Sequence, residues 1–254
     1  MQDKPEGSLP RDGWPELTYT YVKHYFWEPQ HLGLTENSRT GIAARGEKRQ
    51  QAVENGLRRQ EVPLNYLLNV LLRILPASYR RAVLKPFGID VADPGLGSLT
   101  LRTPRNLAYI QPDVQLESRT SRVFIEIKID APLGLPQIDK YVRAHADLDE
   151  LEGLAKKAYV LLLVKRDPLR LEDVDQRIPH ADVARELAAL VGPGAREVVF
   201  GAATWQRFAD AMADELERRR GEQSDAVEML KILTGDFLEE LRARGLAQTA
   251  PKIP

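Results

Sequence analysis

Cysteine is absent from this chain of 254 residues. Its absence excludes disulfide bonds, thiolate zinc sites, iron–sulfur clusters and cysteine nucleophiles. A chain without disulfides suits a reducing compartment, so we expect a cytoplasmic protein.

A strong net charge and a long apolar segment are also lacking. The formal net charge is −1, so no overall field attracts nucleic acid, and any such binding has to use local basic patches. The longest apolar run, Ala158 to Val164, is too short to cross a bilayer. The first residues, MQDKPEGSLPRDGWPEL, lack the apolar core of a signal peptide. We therefore expect no membrane partner.

What is present is the composition of an ordinary globular protein, with 43% hydrophobic and 29% charged residues. We predict an N-terminal extension with an aromatic arm (1–34), a main domain (35–220) and a C-terminal helix and tail (221–254). The aromatic arm either packs on the domain or stacks on bases. The charged stretch 35–60 is either a solvated face or a phosphate-contacting surface. The last helix, capped by Ser224, has an apolar stripe that packs within the chain or forms a homodimer.

Hydrophobic periodicity predicts the order of elements in the main domain. A leucine-rich helix begins at Glu61, and two or three antiparallel strands follow. A helix opened by Pro136 leads to KKAYVLLLVK, a strand buried on both faces. A further helix, a second buried strand and a helix from Trp205 complete the order. This alternation predicts the α/β class, with a mixed central β-sheet flanked by helices.

The stretch 109–141 is predicted to form two strands, a turn and a helix. Polar and apolar residues alternate in both arms, which puts each set on one face of a strand. The four residues 118–121 between the arms are polar and typical of a turn. If this even-numbered loop closes a regular hairpin, Glu117 faces Arg122.

The same register places two carboxylates side by side, because Asp113 then lies opposite Glu126. Two carboxylates at that distance repel each other and need a cation between them or a raised pKa. The neighbouring Lys128 supplies part of the positive charge, and a divalent metal would supply the rest. We therefore predict a functional site on this hairpin.

Two neighbouring helices offer further polar groups to this site. Gln137 and Tyr141 are four residues apart on the helix after the hairpin, so they share a face. A loop of about six residues after Asp130 would bring the first turn of that helix back near Lys128. Glu61, at the start of the leucine-rich helix, is either an acid favoured by the helix dipole or a third acidic group of the site.

Pro112-Asp113 on one strand and Glu126-Ile127-Lys128 on the next resemble the motif of the PD-(D/E)xK nuclease superfamily. The acidic strand, the turn, the ExK strand, the helix and the buried strand come in that family's order. The segment from Gln137 to Tyr141 is similar to the QxxxY element of RecB-like members. The resemblance runs roughly from Glu61 to Glu217 and implies a restriction-endonuclease-like core. Two features depart from it: no cysteine is available for an iron–sulfur cluster, and neither histidine of the N-terminal extension matches the upstream histidine of some RecB-like members.

The resemblance implies a site for Mg²⁺, for which Mn²⁺ can substitute. The implied metal ligands are Asp113, Glu126, the carbonyl of Ile127, and a third acid that is Glu61 or Glu36. The implied catalytic residues are Asp113, Glu126, Lys128, Gln137 and Tyr141. Lys128 would orient a water molecule or neutralise charge, and the Gln/Tyr pair would position the water, the lysine or a phosphate.

The implied activity is hydrolysis of phosphodiester bonds by a Mg²⁺-dependent DNA nuclease acting in phage defence, restriction or repair. No dedicated target-recognition domain is visible, which favours structure-specific cleavage or a partner protein that delivers the DNA. The alternative is a catalytically silent protein of the same fold that binds nucleic acid or serves in assembly. For Glu126 and Lys128 alone, the structural alternative is a surface charge pair that contributes little.

Overall fold

The computed structural model describes residues 61–102, 112–129, 131–152, 156–172, 176–192, 198–222 and 224–248. The helices are α1 (Glu61–Ile74), α2 (Ala77–Leu84), α3 (Pro94–Gly97), α4 (Leu135–Glu152), α5 (Val183–Val191), α6 (Trp205–Arg218) and α7 (Asp225–Ala243). The strands are β1 (Thr100–Arg102), β2 (Val114–Glu117), β3 (Ser121–Lys128), β4 (Lys157–Val164), β5 (Leu169–Arg170), β6 (Arg177–Ile178) and β7 (Val198–Thr204). Short 3₁₀ helices occupy Lys85–Phe87 and His180–Asp182.

Five strands form the central sheet, in the order β1-β2-β3-β4-β7. β1, β2 and β3 pair antiparallel, whereas β3, β4 and β7 pair parallel. The parallel pairs need long crossovers, which α4 supplies between β3 and β4 and α5 supplies before β7. The expected α/β class with a mixed central sheet flanked by helices is confirmed. β5 and β6 form a separate two-stranded ribbon that the sequence pattern did not reveal.

The two faces of the sheet carry separate hydrophobic cores. Apolar residues of α1, α2, α6 and α7 pack on one face with Val123, Ile125 and Ile127 of β3. Apolar residues of α4 and α5 pack on the other face with Phe124. Successive strand residues point to opposite faces, so Glu126 shares the α4 face with Phe124. The alternation in β3 therefore sets which helix can reach the acidic side chain.

The last helix packs within the chain. Ser224 caps α7, because its hydroxyl accepts a hydrogen bond from the backbone N–H of Val227 at 3.3 Å. Gly245, with φ of 66°, follows the last turn in a left-handed conformation. The leucines and the phenylalanine of the stripe join the core that α1, α2 and α6 form on one face of the sheet, whereas Ile232 is 51% exposed. Packing within the chain thus buries most of this apolar stripe.

Several predictions concern residues outside the described ranges. The aromatic arm, the charged stretch 35–60, Glu36 and the N-terminal histidines belong to this group, and they stay predictions. None of the described helices combines the length and apolar character needed to cross a bilayer.

Candidate active site

The hairpin of β2 and β3 has the register that the sequence predicts. Glu117 pairs with Arg122, and the regular pairing continues as far as Val114 with Ile125. Asp113 lies one residue before β2 begins. Continuing the register by one step therefore places it at the level of Glu126, at the open end of the hairpin.

The regular pairing of β2 and β3 ends at Val114 and Ile125, and Pro112 lies two residues before that pair. Ser118 donates its N–H to the carbonyl of Ser121 at 2.8 Å, and hydrogen-bonded pairs recur at every second residue from there. The next positions of that kind beyond Val114 and Ile125 are Pro112 and Ile127. Proline has no N–H, so it cannot donate to the carbonyl of Ile127. That carbonyl is directed to the β2 side because it points the same way as its own N–H.

The side chain of Asp113 takes the hydrogen bond that would otherwise continue the pairing of β2 and β3 at Ile127. Its Oδ2 accepts the N–H of Ile127 at 2.8 Å, and its Oδ1 accepts a short hydrogen bond from Nδ2 of Asn65. Its main-chain carbonyl accepts a hydrogen bond from Nδ2 of Asn69 at 2.7 Å. Asn65 and Asn69 lie one turn apart on α1, and Nδ2 of Asn69 also reaches the carbonyl of Asn65 at 2.7 Å. The carboxylate of Asp113 is thus fixed between a strand edge and a helix.

Glu126 is 4% exposed and receives hydrogen bonds from three side chains. Its Oε1 accepts from Nε2 of Gln137 at 2.5 Å and lies 2.7 Å from the ammonium of Lys128. Its Oε2 accepts a short hydrogen bond from the hydroxyl of Tyr141. The sequence prediction that Gln137 and Tyr141 share a face near Lys128 describes this arrangement, with Glu126 as the group that joins them.

Tyr141 keeps its proton at physiological pH. Burial raises the pKa of its phenol well above the ordinary value, and the negative charges of Glu126 and Asp113 raise the pKa further. Both carboxylates therefore lie within electrostatic range of the same hydroxyl. The ring packs against Phe124 with 5.5 Å between centroids, so the donor is held by packing as well as by its hydrogen bond.

The described part of the site can offer a cation oxygen ligands only. Carboxylate oxygens come from Asp113 and Glu126, and a main-chain oxygen comes from Ile127. The amide oxygens of Asn65 and Asn69 are buried and have no hydrogen-bond partner in the described residues. No group of three or more acidic or histidine side chains suited to a metal occurs among the described residues. A cation here would therefore depend on amide and main-chain oxygens or on an acid outside the described residues.

Glu61 is the first residue of α1, and its side chain is outside the described part of the structure. Its role as third acid stays a prediction. The same helix instead brings Asn65 and Asn69 to Asp113, which sequence analysis missed. The available signal was two asparagines four residues apart in a helix otherwise lined by leucines.

A second polar network lies on the same hairpin, at the pair of residues next to the turn, Glu117 and Arg122. Oε1 of Glu117 lies 3.1 Å from Nε of Arg122 and 2.7 Å from Nζ of Lys156. Nη1 of Arg122 contacts Nδ1 of His145 on α4 at 3.0 Å. All four residues are less than 9% exposed. This network joins β2, β3, α4 and the start of β4, and it fixes α4 over the sheet at the end remote from Gln137.

Comparison of the chain with protein-family models, curated proteins and solved structures gives no match. Function must therefore be argued from the chemistry of the site.

Proposed function

We propose that the chain is a Mg²⁺-dependent phosphodiesterase that cuts DNA, built on a restriction-endonuclease-like core of the PD-(D/E)xK type. The observation that carries this proposal is the convergence of Asp113, Glu126 and Lys128 at one end of the β2–β3 hairpin. Two carboxylates can hold a divalent cation, and a lysine beside them can offset charge on a phosphate, so the three groups suit phosphodiester hydrolysis. Phage defence, restriction or repair in the cytoplasm is the setting we propose.

The donor set fits a hard divalent cation. Mg²⁺ prefers oxygen ligands and keeps some of its own water, so it does not need a full cage of protein groups. Asp113, Glu126 and the carbonyl of Ile127 would hold it, and the buried amide oxygen of Asn65 is a further ligand of the right kind. When bound, the cation would lower the pKa of a coordinated water and offset charge on the phosphate.

The remaining side chains would stabilise charge and orient Glu126. The ammonium of Lys128 lies beside Glu126 and can offset the charge that builds on the phosphate as water adds to phosphorus and the bond to the departing sugar oxygen breaks. Gln137 and Tyr141 donate to Glu126, which fixes the direction of its carboxylate. They are positioning residues, since they act through Glu126.

A catalytically silent nucleic-acid-binding or assembly module is the second candidate. The observation in its favour is that Glu126 already has Lys128, Gln137 and Tyr141 as donors, so the ammonium of Lys128 offsets its negative charge without a metal ion. In that case the cluster would stabilise the fold rather than take part in a reaction.

Replacing Glu126 by glutamine tests the two candidates against each other. Glu126→Gln keeps the shape of the side chain but removes the charge, and we expect the rate of cleavage with Mg²⁺ or Mn²⁺ to fall by about a hundredfold or more. The substrates are linear, nicked, branched and single-stranded DNA, with RNA alongside. The matched control is Glu217→Gln, an acid on α6 whose side chain is 61% exposed.

Cleavage by the parent and by Glu217→Gln, but not by Glu126→Gln, supports a nuclease. Absence of cleavage of every substrate with either metal by a folded parent protein rejects it. Equal cleavage by all three proteins would trace the activity to a contaminant and would also reject this site. Thermal melting of each variant checks that loss of activity is not loss of folding.

A further inference from the structure

We propose that a cationic pocket beside Lys128 binds a backbone phosphate adjacent to the one being cut. We name it the ribbon pocket and define it by Lys165, Arg166, Asp167, Arg170 and Arg177, with Lys128 at one end. The inference rests on the proposed function, because it assigns the neighbouring phosphate of the same nucleic-acid strand.

The ribbon pocket opens where two parallel strands end. Lys128 is the last residue of β3, and Lys165 and Arg166 directly follow β4. The pocket has a volume of 370 Å³, which is enough for a phosphate group and part of a sugar. In α/β sheets, ligands bind at the carboxyl ends of the strands, so the position is one that a substrate can reach.

The lining is strongly basic in a chain whose formal net charge is −1. Among the described residues, five lysines and arginines line the pocket, together with one acidic residue, Asp167. Its carboxylate accepts the backbone N–H of His180 at 3.1 Å. The lining is thus the local basic patch that a near-neutral protein needs in order to bind nucleic acid.

Two arginines on the ribbon point specifically to an anion. Arg170 of β5 pairs directly with Arg177 of β6, and both are exposed. Like charges at directly opposed strand positions destabilise the pairing. An anion between the two guanidinium groups would remove this repulsion, and phosphate suits it because arginine can bind its oxygens in a bidentate manner.

The ribbon is anchored, so these arginines are held in place beside the site. Leu169 and Ile178, the residues next to them, are buried at 3% and 0% exposure. Leu133, in the loop between β3 and α4, donates its N–H to the carbonyl of Arg170 at 3.1 Å. That loop joins Lys128 to Gln137, so the ribbon pocket and the carboxylate site share one backbone segment.

Lys128 connects the two sites. Its ammonium contacts Glu126 at 2.7 Å, and its side chain also lines the ribbon pocket. We therefore expect a strand whose scissile phosphate lies at the carboxylates to place a neighbouring phosphate in the ribbon pocket. The pocket recognises phosphate and no base edge, so we expect its contribution to be independent of sequence.

The test removes both ribbon arginines and measures the salt dependence of DNA binding. Arg170→Ala/Arg177→Ala is compared with the parent protein on a short labelled DNA duplex and its single strand, in EDTA so that no cleavage occurs. We expect the slope of log affinity against log salt, between about 50 and 200 mM, to decrease by about one to two. The matched control is Arg218→Ala/Arg220→Ala. It removes the same charge from exposed arginines that pair with Glu215 and Glu217 at the far end of α6.

A second variant separates phosphate binding from folding. Arg170→Lys/Arg177→Lys keeps the charge and loses the bidentate contact, so we expect it to retain most of the slope with weaker affinity. An unchanged slope in the folded alanine variant, or an equal decrease in the α6 control, would overturn the ribbon pocket.

Cleavage assays on the same proteins keep the two proposals apart. If the parent cuts DNA and the alanine variant cuts it with unchanged KM, the nuclease proposal is supported and phosphate binding by the ribbon pocket is rejected. If the parent cuts no substrate and the salt slope of the alanine variant still decreases as expected, phosphate binding by the ribbon pocket is supported and the nuclease proposal is rejected. If both hold, KM rises in the alanine variant while Glu126→Gln remains inactive.

Discussion

Replacing Tyr141 by phenylalanine removes one hydroxyl group from the site and leaves the ring in place. The hydroxyl donates to Oε2 of Glu126, and the ring packs on Phe124. Glu126 keeps Gln137 and Lys128 as donors to its other oxygen. The substitution therefore leaves one oxygen of a buried carboxylate without its side-chain donor.

The magnitude follows from the charge of the acceptor and its burial. Hydrogen bonds to charged groups contribute about 1.5–3 kcal/mol, and Glu126 is only 4% exposed. We expect Tyr141→Phe to lower the free energy of unfolding by about 2 kcal/mol at neutral pH. In a domain of this size that corresponds to a decrease in Tm of about 4–8 °C.

The difference should disappear in alkali. The folded-state pKa of Tyr141 lies well above the ordinary value, so the unfolded chain loses this proton first. The stabilisation by Tyr141 is complete below about pH 10 and decreases by about 1.4 kcal/mol for each pH unit above it. The phenylalanine variant lacks this titration, so its stability should approach that of the parent protein between about pH 10 and 12.

Denaturant unfolding monitored by circular dichroism, at a series of pH values, measures both effects. The control is Tyr159→Phe, which removes a hydroxyl that donates to Asp93 at 2.6 Å and whose pKa burial raises to about 12. It should show a similar dependence on pH without an effect on DNA cleavage, whereas Tyr141→Phe should slow cleavage. A Tyr141→Phe variant as stable as the parent at neutral pH would refute the account of this hydrogen bond.

Two further substitutions test the fold around the site. Glu117→Gln should lower the free energy of unfolding by about 3 kcal/mol at neutral pH, because it leaves the buried charges of Arg122 and Lys156 without their carboxylate. Burial raises the pKa of Glu117, but the hydrogen bonds from Lys156 and Arg122 outweigh it and lower the pKa. The stabilisation is therefore lost as pH falls below about 4, and acid titration should bring the variant and the parent together. Gly201→Ala should cost about 1–3 kcal/mol, because an added Cβ would lie 2.5 Å from a main-chain oxygen of Phe87. Gly221→Ala, where nothing lies within 4 Å of such a Cβ, should be neutral in the same melting experiment.

The hairpin and its neighbouring helix could be predicted because their signals are local. A period of two places Glu117 opposite Arg122 once the loop length is known, and a spacing of four puts Gln137 and Tyr141 on one face. Each of these depends on a few consecutive residues. The shortness of the connecting loop predicts that the first turn of this helix lies near Lys128, but the contact of Gln137 and Tyr141 with Glu126 could not be predicted from it.

The partners of Asp113 could not be predicted in the same way. Asn65 and Asn69 lie more than forty positions earlier in the chain, and only the packing of α1 on the sheet brings them to the carboxylate. Leucine periodicity gave the buried face of α1. It did not distinguish which polar residues at the border of that face would meet another element.

Periodicity also fails to predict two other features, the β5–β6 ribbon and the buried network of Glu117 and Arg122. The paired segments of the β5–β6 ribbon are two residues each, too short for alternation to be recognised. Glu117 and Arg122 occupy the polar positions of an alternating hairpin, a pattern that usually indicates a solvated face. α4 covers that face instead, and the charged side chains there neutralise one another.

Pro112, just before Asp113 and β2, lacks the backbone N–H that every other residue type would bring to the open end of the hairpin. Another residue here would present an N–H toward the carbonyl of Ile127 if the register of β2 and β3 continued by two residues. Such a residue would add one more hydrogen bond between β2 and β3. That bond would occupy the carbonyl oxygen of Ile127, which is a proposed ligand of the cation. A substitution here could therefore make the hairpin more regular and the protein more stable while weakening its affinity for metal.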